Sequence, residues 1–100
     1  MWSLFNLPKY EITVWLKICS STSRIEKLLC DLAREEPYQS AKSDDAKDYH
    51  WGFESSDEAI AVLENFMSIA EDSTVIVLRF ASRDKSVDSF TVKDTRRVLH

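Results

Sequence analysis

Two side chains stand out as able to do nucleophilic or acid–base chemistry, Cys19 and His50. Cys19 stands at the end of one alternating apolar–polar stretch and His50 lies within another, on the same parity, which raises a Cys/His pair, a thiolate activated by an oriented base. No nucleophile motif surrounds Cys19, and a lone histidine on a polar face reads most simply as a surface side chain. Cys30 falls on a helix flank and reads as a half-buried small residue. The acidic doublet Asp44-Asp45 has the chemistry of a turn, and Asp57-Glu58 that of a helix first turn complementing its dipole. No glycine-rich phosphate loop, HExxH site or GxSxG elbow occurs, and the chain has a single glycine, Gly52. These residues assign no catalytic group, no metal ligand and no cofactor.

The bulk composition is that of an ordinary globular chain. One hundred residues, 44% hydrophobic and 30% charged, with one Gly and two Pro, predict a single domain over 1–100 without linkers or repeats. Seventeen acidic residues against thirteen basic ones leave a net charge of −4. That balance lacks the basic footprint of a nucleic-acid binder and suits a basic partner, or none that is charged. No run approaches the roughly 18 apolar residues of a membrane span. Trp2-Ser3-Leu4-Phe5 is too short for a signal-peptide core, and two cysteines without metal spacing suit a reduced, cytoplasmic setting. The apolar segment 1–9 is expected to pack back on the domain or on a partner. The charged tail 94–100 is expected to be a solvated end.

Periodicity then supplies the elements that would position any site. In Tyr10 to Ile18, residues Ile12, Val14, Leu16 and Ile18 share one face of a strand. Ser23 and Glu26 have capping-box spacing ahead of a helical stripe of Ile25, Leu28, Leu29 and Leu32, which Pro37 ends. Tyr38 to Lys42 reads as a short edge strand, and Asp48 to Glu54 as a half-buried strand. Ser55 and Glu58 cap a second helix whose stripe is Ala59, Val62, Leu63, Phe66, Met67 and Ala70. Thr74 to Ala81 is a strand rich in β-branched residues, and Val87 to Lys93 a weaker one.

The order β-α-β-β-α-β, with a further strand appended, resembles the ferredoxin-like split βαβ architecture over Tyr10 to Ala81. It resembles it in element order alone. The resemblance implies an α+β two-layer sandwich, a mostly antiparallel sheet of four to five strands with two helices on one face. The strands of Tyr10 and Asp48 would be central and antiparallel, with the Thr74 strand beside the first.

If the helices cover the Ile12/Val14/Leu16 face, the other face carries Trp15, Lys17, His50, Val75, Val77 and Arg79. The strand ends suggest a register with Trp15 beside Gly52 and Lys17 near His50, leaving His50 and Gly52 exposed. A modest apolar patch ringed by charge suits a protein partner or a second copy of the chain. The expected function is a small, non-enzymatic protein-binding domain, for instance an immunity or antitoxin-type inhibitor of a partner protein. The alternative is a dimeric ligand-binding domain or small enzyme with a pocket near Trp15 and His50.

Overall fold

The computed structural model describes residues 7–70, 76–83 and 90–91. Within them the chain forms β1 (Tyr10–Lys17), α1 (Thr22–Ala33), β2 (Gln39–Lys42), β3 (Ala46–Phe53), α2 (Ser56–Ala70), β4 (Ile76–Ser82) and β5 (Phe90–Thr91). The five strands make one antiparallel sheet in the order β2-β3-β1-β4-β5. β1 is therefore central, between β3 and β4, as the sequence predicts. β5 extends the sheet beyond β4. The rest of the expected Val87–Lys93 strand lies outside the described residues, as do 1–6 of the N-terminal segment and the tail 94–100.

The alternation in β1 decides which face is covered. Tyr10, Ile12, Val14 and Leu16 are buried, while Trp15 and Lys17 are exposed. β3 sends Tyr49, Trp51 and Phe53 to the buried side, and β4 sends Ile76, Leu78 and Phe80. The two helices complete this core through Leu29 and Ala33 of α1 and Ala59, Val62, Leu63, Phe66 and Ala70 of α2. Both amphipathic stripes face this core, so among the described residues no helix covers the other side of the sheet.

Both expected caps differ in detail from the structure. α1 begins at Thr22, and its N-cap Ser21 makes no side-chain cap bond. Instead the Thr22 hydroxyl accepts the Cys19 amide at 2.8 Å, closing the turn that enters the helix. Glu26 does not reach back to Ser23. It crosses to the sheet, where Tyr49 Oη and Lys47 Nζ both donate to its Oε2, at 2.6 and 2.9 Å. In α2 half of the box forms, as Ser55 Oγ accepts the Glu58 amide at 3.4 Å. α1 ends on Arg34 in the left-handed region (φ 60°, ψ 23°), whose amide bonds the Asp31 carbonyl at 3.3 Å. A non-glycine residue there costs about 1 kcal/mol, so the helix ends three residues ahead of Pro37 at some strain.

The Glu26 carboxyl is held below the usual carboxylate range, first by the Tyr49 hydroxyl and then by Lys47. The Tyr49 phenol moves the opposite way, pushed up by burial and by the adjacent carboxylate. A depressed carboxyl pKa stabilises the fold above its unfolded value and ceases to do so as the pH falls through the folded one. With about a third of each side chain exposed (36% for Glu26, 27% for Lys47), the effect is at most about 1 kcal/mol. Urea midpoints of the wild type and Glu26→Gln should differ at neutral pH and draw together as the pH drops below 4.5. A gap that widens in acid would contradict this.

Candidate functional site

The open face can be read as rows across the sheet, because strand pairing fixes which residues stand side by side. One row runs Ala41–Asp48–Trp15–Val77. The next runs Gln39–His50–Thr13–Arg79, and the third Gly52–Glu11–Ala81. Lys17 stands beyond Trp15, beside Ala46.

This register corrects the expected one by four residues. Trp15 pairs with Asp48, not Gly52, and His50 pairs with Thr13, not Lys17. Parity is preserved, so the face is the same, but its neighbours change. The cause is at the strand start: β3 begins at Ala46, two residues before the expected Asp48, and the Ile18 amide bonds the Asp45 carbonyl at 2.9 Å. Gly52 is buried, so it is not the exposed companion of His50. Cys19 lies past the end of β1, in the turn before α1, so the Cys/His pair does not form. Of the six expected contact residues, Trp15, Lys17, His50, Val77 and Arg79 share the open face, and Val75 lies outside the described residues.

Two features follow from the rows. The first is apolar: Trp15 and Val77 are direct cross-strand neighbours, 37% and 42% exposed. Leu7 and Leu28 are as exposed, at 44% and 43%, so what distinguishes this face is that two open apolar side chains stand side by side on it. Lys17 and Arg79 flank the pair and make no ion pair among the described residues.

The second is polar. Glu11 stands between Gly52 and Ala81. It accepts from the Tyr38 hydroxyl on Oε2 and from Thr13 Oγ1 on Oε1, at 3.2 Å for the latter. His50 Nδ1 lies 3.4 Å from the same Oε1 and 3.3 Å from Thr13 Oγ1. The Tyr38 and His50 rings are 6.1 Å apart and tilted by 60°. Glu11 and Tyr38 are the members that sequence reasoning missed. Tyr38 is drawn in because its amide bonds the His50 carbonyl at 2.9 Å, which adds it to the end of the β2–β3 pairing. The carboxylate orients the imidazole by its Nδ1. A general base also needs a substrate held within reach. Among the described residues a depression of about 200 Å³ is lined by Leu7, Pro8, Lys9, Glu11, Ala81, Ser82 and Arg83.

Arg83 closes that end. Its amide bonds the Lys9 carbonyl at 2.8 Å, and its guanidinium donates to the carbonyls of Pro8 (2.9 Å) and Leu7 (2.5 Å). Residues 7–9 of the N-terminal segment are thus tied to the end of β4, which accounts for a buried Pro8. Among the described residues no group of three or more His, Cys, Asp or Glu side chains could hold a metal ion, and no helix is long and apolar enough to cross a membrane. No family model matches the sequence, and no curated protein or solved structure matches it either.

Proposed function

We propose that the protein is a small protein-binding domain and that the open face of its sheet is the contact surface. The observation that carries this is the Trp15–Val77 pair, exposed side by side on the central strands with Lys17, Arg79 and Asp48 around it. An apolar centre with a charged surround is the anatomy of a contact in which an aromatic anchor supplies affinity and the rim supplies orientation. The anchor sits on β1, a strand held on both sides, so little freedom is lost when it is covered. An inhibitor of immunity type is one form such a domain takes. The net charge of −4 then favours a basic target.

Trp15→Asp tests this directly. The substitution puts a charge in the centre of the patch but touches nothing in the core. Proteins captured by the immobilised wild type, its own chain included, should be lost on the variant, while the unfolding midpoint changes little. Equal capture by both, with the variant folded, would remove the open face from the function.

A further inference from the structure

The rows of the open face carry a second pattern, in the order of their charges. Along the strands, Lys17 stands one row beyond Trp15, and Glu11 one row before Thr13. On β3, Asp48 stands in the Trp15 row and His50 in the Thr13 row. Reflecting the strand direction about a line midway between those two rows exchanges Lys17 with Glu11 and Asp48 with His50. Lys17 is thus exchanged with a group of opposite charge, and the Asp48 carboxylate with an imidazole that can donate a hydrogen bond to it.

Such a reversal is what a two-fold axis does when two sheets pack face to face and the axis runs across the strands between them. We infer that the partner of the open face is a second copy of this chain, packed in this way. The inference rests on the proposed function, since it names the protein that the open face binds.

In this arrangement β1 crosses β1 of the other copy in the reverse direction. Lys17 of each copy meets Glu11 of the other, and Asp48 meets His50. Sheets packed face to face lie about 10 Å apart, a distance that one lysine and one glutamate side chain together span. Trp15 lies on Thr13 of the other copy, and the stem of Arg79 covers Val77, with its guanidinium reaching past toward water.

Neighbouring arrangements fail. An axis through the Thr13 row sets Arg79 on Arg79, and one through the Trp15 row sets Asp48 on Asp48. An axis along β1 opposes Glu11 to Glu11 and Lys17 to Lys17. Like charges placed opposite one another across an interface are strongly unfavourable, which disfavours these three axes against the one midway between the rows. Eight-residue central strands and five strands at the usual spacing give a face of roughly 500 Å² in projection. Side-chain relief raises the accessible area toward the roughly 800 Å² per partner of a standard interface.

The two-fold makes a specific demand on charge-reversed variants. Lys17→Glu alone places two acids together at both contacts, and Glu11→Lys alone places two bases. Mixed, the two variants put an acid against a base at both. Light scattering and sedimentation should give a dimer for the wild type and a self-association at least about tenfold weaker for each variant alone. The equimolar mixture should return to the dimer. Glu11→Lys also loses the Tyr38 and Thr13 hydrogen bonds. Circular dichroism therefore checks its fold, and Asp48→Lys mixed with His50→Asp repeats the test at the second contact. A folded pair that stays monomeric on mixing overturns the self-pairing. A monomeric wild type that still captures another protein through Trp15 overturns it too, but leaves the proposed function standing. A monomer without Trp15-dependent capture ends both.

Discussion

Trp51→Ala should lower the free energy of unfolding by about 3–5 kcal/mol, the largest effect expected of any single truncation here. The side chain is 1% exposed. Its ring meets Phe66 of α2 edge-on, with centroids 5.1 Å apart, and stacks against Tyr49 at 6.0 Å. Its Nε1 donates to the Glu35 carbonyl at 3.0 Å, which fixes the chain just past the end of α1. One residue therefore joins the sheet, the second helix and the exit of the first. Truncation leaves a cavity among rings that cannot collapse into it and a carbonyl without its donor. Trp51→Phe separates the two contributions, because it keeps most of the volume and gives up the hydrogen bond, worth about 1 kcal/mol. Urea unfolding measures both. A loss below about 1 kcal/mol for the alanine variant would show that Trp51 does not organise the core.

The second large effect is a contrast between neighbours on β4. Leu78 is fully buried and Val77 is 42% exposed, although the two are adjacent. Leu78→Asp places a carboxylate among Val14, Phe80 and Leu63 with no partner, a cost of several kcal/mol against a total stability of about 5–15. That variant should not fold. Val77→Asp should stay within about 1 kcal/mol of the wild type, the range of strand preference at an exposed site. It should nevertheless weaken whatever Trp15→Asp weakens, since Val77 is the direct cross-strand neighbour of Trp15. Thermal melts and light scattering on the two variants check both halves. A Val77→Asp variant that unfolds would mean the face is not open.

Much of this architecture is legible in residue types alone. Ile12, Val14 and Leu16 alternate with Thr13, Trp15 and Lys17, and period two fixes which side of β1 is covered. The stripe from Ala59 to Ala70 does the same for α2. Pairing register is another matter. A shift of four residues leaves every side chain on its own face, so alternation cannot detect it, and the hairpin Ser43 to Ala46 and the Ile18–Asp45 bond decide it instead. Residue types therefore give Trp15 and His50 the correct face but the wrong neighbours. The Glu11–Tyr38–His50 cluster was hidden for the same reason, because Glu11 meets His50 only in the true register. Glu26 misled for a different one. Its spacing from Ser23 satisfies a capping box, but a buried phenol and a lysine on β3 offer it better partners.

The central position of β1 also has a consequence in time. β1 is made before the other four described strands, yet its two neighbours are β3 and β4, and β4 is described from Ile76. Both edges of β1 therefore wait, unpaired, while α1 and β2 are synthesised. β3 can seal one edge early, since hairpin formation with β2 brings it as a ready-made pair. The other edge stays open until β4 has followed α2 off the ribosome. Closure of so distant a pairing is slow, and an open β1 edge is a template for another chain. A fragment ending before Ile76 would keep both helices, three strands and most of the core residues, and would still lack the strand that makes the sheet safe in water.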